Sequence, residues 1–261
     1  MFTPHIKEKF TEDPLRATSC AILKALSLIH PISATVRTNH NFEINCVFPD
    51  SISSIIYLNR EYEPELTRKV LENVKPGQTF IDVGAHIGYF SLLASKLVGE
   101  TGQVHSFEPS KEIFKVLKEN KTENMSISQF AVFSETKQRL HHDFGLRFSA
   151  YNTIRASWVA RKPEDRYLVY AVSLDDYVAT NELKPDFIKI DAEGSEFDIL
   201  QGATKMIDKF HPMITTEALT GEENSPTAKF LREKGYSPDI EKIPENEYVN
   251  ILWSWKKDVK E

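Results

Sequence analysis

The amino-acid sequence predicts a doubly wound α/β protein whose central sheet is mostly parallel. From residue 79 onwards, apolar segments typical of buried strands, such as TFIDVG and DFIKIDAEG, alternate with segments of helical periodicity, such as GYFSLLASKLV and SEFDILQGATKMI. Strands that alternate with helices favour parallel pairing through right-handed crossovers. Ligands of such sheets bind at the carboxyl ends of the strands, near the point where the strand order reverses. We therefore expect a binding site at that edge.

The segments before this sheet form a predicted N-terminal extension, residues 1–60. Residues 12–30 predict a helix that a proline ends, and residues 34–48 alternate loosely, which is typical of a hairpin or of short strands. Residues 61–261 are predicted to form the main domain. Its first helix, over residues 63–73, has a proline in its first turn, a position that proline favours.

The strands and helices of the sheet are predicted in regular order along the chain. The predicted strands are TFIDVG, GQVHSFEP, SISQFAVF, DFIKIDAEG, HPMITTEA and, as a late antiparallel strand at the end of the sheet, EYVNILWSWK; the predicted helices are GYFSLLASKLV, KEIFKVLKENK, SEFDILQGATKMI and SPTAKFLREKGY. Residues 137–170 interrupt the alternation, because they show no clear helical period and are rich in arginine, histidine and aromatic residues. A long insertion in a compact domain is functional or disordered, and the aromatic content argues against disorder.

Composition and charge exclude several classes of protein. The chain has 261 residues and a formal net charge of −6, so duplex nucleic acid is not an expected partner. Its two cysteines, Cys20 and Cys46, lack metal-ligand spacing, which favours reduced thiols. The N-terminus has no apolar signal core, and the stretch AILKALSLI is too short to span a bilayer. We expect a cytoplasmic protein without a transmembrane segment, with membrane or partner contact by that stretch as an alternative.

The segment FIDVGAHIGYF leaves a strand through a glycine-rich turn, which indicates a ligand close to the backbone. Gly84 and Gly88 have the spacing G-x-x-x-G, not the G-x-G-x-x-G of dinucleotide folds, and no phosphate loop follows. Glu108 ends the next strand, where a carboxylate can accept hydrogen bonds from both ribose hydroxyls. Asp82 can hold a cationic amino group, directly or through water. A ribose together with an amino acid describes S-adenosylmethionine.

Several stretches make the chain resemble the FkbM family of class I, Rossmann-like methyltransferases that use S-adenosylmethionine. They are YEPELTRKVLENVKPGQTFIDVGAHIGYFSLLAS, HSFEPSKEIFKVLKEN, VSLDDYV and DFIKIDAEGSEFDILQGA, the last being the most specific. They lie between Tyr62 and Ala203, about half of the chain. The resemblance implies methyl transfer, commonly to a hydroxyl of a sugar, a glycan or a small natural product.

The resemblance also implies a set of residues around the cofactor. The expected set is Glu63, Asp82, Gly84, Ala85, His86, Gly88, Glu108, Pro109 and Ala131. The residues of the glycine turn would line the methionine end, Glu108 would meet the ribose, and Ala131 would lie near the adenine edge. Glu63 either closes over the cofactor or only begins a helix. His86 occupies a position where the family often has asparagine; a cofactor contact is favoured there, and a role as a base is the alternative.

A second group of polar residues ends the strand DFIKIDAEG. Asp191 and Glu193 follow Lys189 there, and this strand is expected to end beside the transferred methyl group. A positioned base typically contributes about 10²–10⁴-fold to such a transfer. Asp191 is the predicted base, and Glu193 the second candidate or an orienting group. His86 and His211 are further candidates.

The acceptor is expected to bind between the next strand and the insertion. Glu217 ends that strand and could face Asp191; the pair could hold Mg²⁺, although direct binding of sugar hydroxyls is favoured. Residues 137–170 are predicted to form a lid or an acceptor pocket. Its candidate contacts are Tyr151, Asn152, Arg155, Trp158 and Arg161.

The sequence leaves three alternatives to O-methyl transfer. A nicotinamide (NAD-dependent) dehydrogenase would use the same kind of sheet, but the dinucleotide motif is missing. A non-catalytic cofactor-binding protein is a second alternative, although the carboxylates of both motifs are intact. An RNA methyltransferase is the third, and the acidic net charge makes it less favoured.

Overall fold

The computed structural model describes residues 13–143, 145–152, 164–219, 225–240 and 248–256. Helix α1 (Pro14–Leu26) begins at Asp13, whose side chain accepts a hydrogen bond from the backbone N–H of Arg16. The predicted helix is thus confirmed, although it ends earlier than expected. Strands β1 (Ile32–Arg37) and β2 (Glu43–Phe48) form the predicted antiparallel hairpin.

Helix α2 (Ser51–Asn59) is absent from the sequence prediction. Its segment SISSIIYLN is rich in isoleucine and serine, which are weak helix formers. Asp50 compensates for this composition, because its side chain accepts a hydrogen bond of 2.6 Å from the backbone N–H of Ser53 and so caps the helix. Tertiary packing of the buried Ile56 and Leu58 adds to the capping.

Most of the remaining elements alternate as the sequence predicts, but the single helix predicted for SEFDILQGATKMI is divided in two, and the short strand Tyr236–Pro238 was not predicted. The helices are α3 (Pro64–Asn73), α4 (Tyr89–Val98), α5 (Lys111–Glu119), α6 (Leu174–Thr180), α7 (Glu196–Gln201), α8 (Thr204–Phe210) and α9 (Pro226–Glu233), together with a 3-10 helix (Leu146–Tyr151). The strands are β3 (Thr79–Val83), β4 (Gln103–Phe107), β5 (Met125–Ser128), β6 (Phe130–Val132), β7 (Lys137–Asp143), β8 (Asp165–Val172), β9 (Phe187–Ile190), β10 (Met213–Leu219), β11 (Tyr236–Pro238) and β12 (Tyr248–Trp255).

The central sheet has seven strands in the order β11-β12-β10-β9-β3-β4-β5. Strands β3, β4, β5, β9 and β10 pair in parallel, and β12 is antiparallel to both of its neighbours. The chain builds outward from β3 through β4 and β5, and then returns to the other side of β3 with β9 and β10. The strand order therefore reverses between β3 and β9, which is where such sheets bind ligands. This topology confirms the predicted doubly wound fold.

The segment SISQFAVF does not form the one strand that the sequence predicts. Strand β5 ends at Ser128, and β6 begins at Phe130 in a different sheet. Strand β6 pairs in parallel with β8, and β8 pairs antiparallel with β7. The insertion 137–170 therefore contributes two strands of a separate three-stranded sheet. The apolar alternation of this segment is compatible with pairing in either sheet. Only the strands that it pairs with, which lie far away in the sequence, decide between the two.

The hydrophobic core consists mainly of two clusters. One contains residues of α1–α5 and the hairpin, including Ala17, Phe48, Leu66 and Leu93. The other contains residues of α6–α9 and of the strands that pack against them, including Ile188 and Trp253. The hairpin and the first two helices thus pack in the same cluster as the helices beside the sheet. Within the described part of the chain, no helix is long and apolar enough to cross a membrane.

Candidate functional site

A cavity opens at the carboxyl ends of the central parallel strands, at the reversal of strand order. With its open mouth it holds about 830 Å³ of empty space, which is in the range of sites for small molecules and cofactors. Its lining residues are Ile52, Tyr62, Glu63, Val83, Gly84, His86, Phe107, Glu108, Pro109, Phe130, Ala131, Val132, Ser149, Ala150, Asn152, Asp191, Ala192, Glu193, Ser195 and Glu217. Both motifs that the sequence singles out therefore face one space.

The glycine turn brings the ends of β3 and β9 into contact. Gly84 has a φ of +75°, and a Cβ atom there would lie 1.8 Å from the backbone oxygen of Asp191. Gly88 has a φ of +95°, and its Cβ would lie 2.7 Å from a methyl carbon of Leu117 on α5. Both glycines are thus required by backbone conformation and by close packing. Gly84 lines the cavity, whereas Ala85 and Gly88 are not among its lining residues.

Glu108 is fixed in the cavity wall by the turn itself. Its carboxylate accepts hydrogen bonds from the backbone N–H groups of His86, at 3.0 Å, and Ser110, at 2.8 Å. Burial raises the pKa of Glu108 to about 7, against the effect of these two hydrogen bonds. Each carboxylate oxygen has a further lone pair for a ligand hydroxyl. The predicted ribose-binding residue therefore lies in the cavity with its orientation set by backbone groups.

Asp82 lies beneath the cavity and not in its lining. Its carboxylate is fully buried, accepts a hydrogen bond of 2.6 Å from Ser91 Oγ, and lies 3.3 Å from Lys189 Nζ. Lys189 Nζ also lies 3.3 Å from Asp191 Oδ2 and donates to the carbonyl oxygen of Gly84. Burial alone would lower the pKa of Lys189, but the charges of Asp191, Asp82 and Glu63 outweigh burial and raise it. Lys189 therefore stays charged and pairs with Asp82, a pairing that the sequence pattern does not predict.

Carboxyl groups converge from three elements on the side of the cavity next to β9 and β10. Glu63 begins α3 with a φ of +41°, and its side chain accepts a hydrogen bond from Asn250. Burial, followed by the charge of Asp191, raises the pKa of Glu63 to about 7 and those of Glu193 and Glu217 to about 8. At neutral pH, Glu193 and Glu217 are therefore largely protonated and can donate hydrogen bonds. Within the described residues, no group of three or more metal-ligating side chains has the geometry to hold a metal ion.

His86 takes part in a buried chain of hydrogen bonds that sequence reasoning missed. Its Nε2 atom lies 2.9 Å from Ser149 Oγ on the 3-10 helix, and Ser149 Oγ donates to Asp50 Oδ1. The residue has a φ of +50°. The N-cap pattern at Asp50 was the only sequence signal that could have drawn attention to this carboxylate.

The insertion contributes fewer described contacts than expected. Asn152 lines the cavity together with Ser149 and Ala150. Tyr151 ends the 3-10 helix. Of the other predicted acceptor residues, Arg155, Trp158 and Arg161 lie outside the described residues, and Glu217 lines the cavity.

The structure contradicts a role for His211 as a base. The residue ends α8 and lies two residues before β10, so it is at the amino end of a parallel strand, opposite the cavity. Its ring stacks on Trp255 with the ring centroids 3.9 Å apart. The sequence HPMITTEA could not show which end of the strand His211 occupies relative to the ligand.

Residues 82–238 match the family described as Methyltransferase FkbM domain. This chain belongs to the FkbM methyltransferase family. The match covers more than half of the chain and begins at Asp82, so it includes the glycine turn, Glu108, Asp191 and Glu217. Asp50 and Glu63 precede it. The predicted family is thereby confirmed.

Individual relatives are distant and differ in what their names say they methylate. The hexuronic acid methyltransferase AglP of Haloferax volcanii is 26% identical over 187 residues, which cover 71% of this chain and 74% of that protein. A demethylmenaquinone methyltransferase of Oceanobacillus iheyensis is 28% identical over 113 residues, 43% of this chain and 47% of that protein. The crystal structure of an FkbM methyltransferase from Methylobacillus flagellatus has 16% identity and a TM-score of 0.47; the match covers 77% of this chain and about half, 52%, of that one.

Proposed function

We propose that this FkbM-family protein transfers the methyl group of S-adenosylmethionine to a hydroxyl of a sugar, a glycan or another small hydroxylated molecule. The observation that carries the proposal is the placement of Glu108. A buried carboxylate, oriented by two backbone N–H groups, faces the same cavity as the glycine turn and the acidic end of β9. This cavity suits a nucleoside and a second, hydroxylated ligand together.

In the proposed complex, Glu108 accepts hydrogen bonds from the ribose hydroxyls, and the neighbouring Pro109 borders the sugar. Ala131 lies in the wall beyond the end of β4, which suits the adenine edge. The methionine portion then extends past Gly84 and His86 towards Asp191. Lys189 neutralises Asp82 below this path. Asp82 thus supports the cofactor site electrostatically instead of through the direct contact that the sequence suggests.

The acidic side of the cavity is proposed as the acceptor site. Asp191 is partly exposed, at 27% of its side-chain surface, and can accept hydrogen bonds from acceptor hydroxyls. Protonated Glu193 and Glu217 can donate hydrogen bonds to a sugar or to a sugar carboxylate. This arrangement suits an acidic sugar at neutral pH, in line with the name of the Haloferax relative, a hexuronic acid methyltransferase. Alignment of the reacting atoms can supply up to about 7–11 kcal/mol of the barrier reduction.

The first test is calorimetric titration of the purified protein with S-adenosylhomocysteine, with NAD as a comparison ligand, each with and without Mg²⁺. We expect micromolar binding of S-adenosylhomocysteine only. Glu108→Ala should weaken that binding by about tenfold or more, since hydrogen bonds to a charged group contribute about 1.5–3 kcal/mol each. Glu112→Ala on the exposed face of α5 is the matched control and should bind normally. Binding of NAD alone would refute the proposal in favour of a dehydrogenase.

The acceptor class is tested by transfer of a labelled methyl group to methyl hexuronosides, neutral methyl hexosides, a quinol and a short RNA. We expect label in an ether of the hexuronoside. An ester product, or label in the quinol or the RNA alone, would exclude sugar O-methylation. If the protein binds S-adenosylhomocysteine but transfers label to none of these acceptors, the alternative of a non-catalytic cofactor-binding protein is supported.

A further inference from the structure

Three distant parts of the chain form one hydrogen-bonded series at the cavity. Asp50 precedes α2, Ser149 lies on the 3-10 helix of the insertion, and His86 lies in the glycine turn. Ser149 Oγ donates to Asp50 Oδ1, Ser149 Oγ lies 2.9 Å from His86 Nε2, and Asp50 Oδ1 itself lies 3.6 Å from His86 Nε2. Asp50 and Ser149 are both buried. Such an arrangement orients an imidazole ring.

The hydrogen-bond pattern fixes where the imidazole carries its proton. A serine hydroxyl has a single hydrogen, and Ser149 gives it to the carboxylate of Asp50. The oxygen of Ser149 must therefore accept from His86, which places the ring proton on Nε2. In a neutral ring the other nitrogen, Nδ1, then carries a free lone pair. Among the described residues, buried His86 Nδ1 has no hydrogen-bond partner.

Asp50 is itself rigidly held. Its second oxygen, Oδ2, accepts a hydrogen bond of 2.6 Å from the backbone N–H of Ser53 at the start of α2. Ser54 Oγ donates to the backbone oxygen of Asp50. The carboxylate of Asp50 is therefore held in a fixed position behind the imidazole.

Burial has the largest effect on the His86 ring and favours its neutral form. Burial lowers the pKa of His86; the carboxylates of Asp50 and Asp191 act in the opposite direction, and Lys189 lowers it further. Glu108 contacts His86 by accepting a hydrogen bond from its backbone N–H. The other proton acceptors of the cavity are less suitable, because Asp191 is paired with Lys189 and burial keeps Glu193 and Glu217 largely protonated.

We propose that His86 is the general base of the methyl transfer and that Ser149 and Asp50 are its positioning residues. This inference rests on the proposed function. The acceptor hydroxyl gives its proton to His86 Nδ1 while its oxygen forms a bond to the methyl carbon. The bond between that carbon and sulfur breaks, and its electron pair stays on sulfur. One positive charge thus disappears from the sulfonium and one appears on the imidazolium, which Asp50 stabilises through Ser149.

The proposal gives the N-terminal segment a part in the chemistry. Asp50 precedes the matched family region, and Ser149 lies in the insertion. The sequence alone favours Asp191 as the base and His86 as a cofactor contact. The ion pair of Asp191 with Lys189 and the oriented ring of His86 reverse that preference. Asp191 then binds and orients the acceptor hydroxyl.

The tautomer of His86 can be measured without any acceptor. We would record long-range ¹H–¹⁵N spectra of the whole protein labelled at histidine, and assign His86 from the signals lost in His86→Asn. The expected result for the wild-type protein is a neutral His86 ring protonated at Nε2. Ser149→Thr should keep this tautomer, and Ser149→Ala should give a mixture of the Nε2 and Nδ1 tautomers. A wild-type ring protonated at Nδ1 would overturn the proposal, whatever the stability of the variants.

Kinetics with the acceptor found in the label-transfer screen provide the second readout. His86→Asn should lower kcat by about 10²–10⁴-fold, the usual contribution of a general base. His40→Asn, which removes a histidine paired with Glu61 away from the cavity, is the matched control and should keep wild-type kcat. Ser149→Ala and Asp50→Asn should shift the pH at which kcat/KM rises, and Ser149→Thr should restore it. Full kcat in His86→Asn would refute the role of His86 as the base. If the wild-type protein does not bind S-adenosylhomocysteine, the proposed function itself is refuted instead.

Discussion

Replacement of Lys189 by methionine tests the electrostatic balance beneath the cavity. The ammonium group is 3% exposed and lies 3.3 Å from each of two carboxylates, of which that of Asp82 is fully buried. Methionine keeps most of the side-chain volume but leaves Asp82 without a cation. Removal of one partner from a buried ion pair typically costs about 3–5 kcal/mol, because the remaining charge stays desolvated. We expect Lys189→Met to lower the free energy of unfolding by about that amount.

Urea unfolding followed by circular dichroism measures this loss. Lys234→Met is the matched control, because Lys234 Nζ lies 2.7 Å from a half-exposed carboxylate oxygen of Asp208, and such surface pairs contribute about 0–1 kcal/mol. Adding Asp82→Asn to Lys189→Met should recover part of the loss, since the unpaired charge is then removed. If the two lysine variants lose equal stability, or if the second substitution recovers nothing, the assigned role of Lys189 is wrong.

Three further predictions concern the same site. Gly84→Ala should destabilise the protein far more than Gly99→Ala in thermal unfolding, because both positions have positive φ but only Gly84 would place a Cβ atom against backbone; equal losses would show that the contact with β9 relaxes freely. The protein should lose stability as the pH rises from about 4.5 to about 8, because Glu193 and Glu217 hold protons in the folded state that the unfolded chain, with a pKa of 4.5, has released. Replacing both by glutamine should flatten this dependence, and an unchanged slope would contradict the raised pKa values. Asp191→Asn should keep S-adenosylhomocysteine binding in calorimetry and lower turnover while retaining the pH profile; loss of the rise in kcat/KM at low pH would return the role of base to Asp191.

Much of the fold could be predicted because it depends on local patterns. The alternation of apolar strands and helices indicated parallel pairing, and the G-x-x-x-G turn followed by Glu108 indicated the place of the site. The strand order reverses beside this turn, and Gly84 and Glu108 line a cavity there. Helix α2 escaped prediction because its capping residue and tertiary packing outweigh the poor helix propensity of its residues. The split between β5 and β6 escaped it because pairing partners lie far apart in sequence.

The sequence by itself determined the family, the sheet architecture and the residues at the ends of β3, β4 and β9. Each of these depends on spacing within a short stretch of chain, where backbone geometry and hydrophobic periodicity act directly. Tertiary structure alone decided that Asp82 pairs with Lys189 and that Asp50 and Ser149 meet His86. Charge pairing and proton placement depend on distance and burial, and residues 50, 86 and 149 come within reach only after the hairpin, the turn and the insertion have packed together.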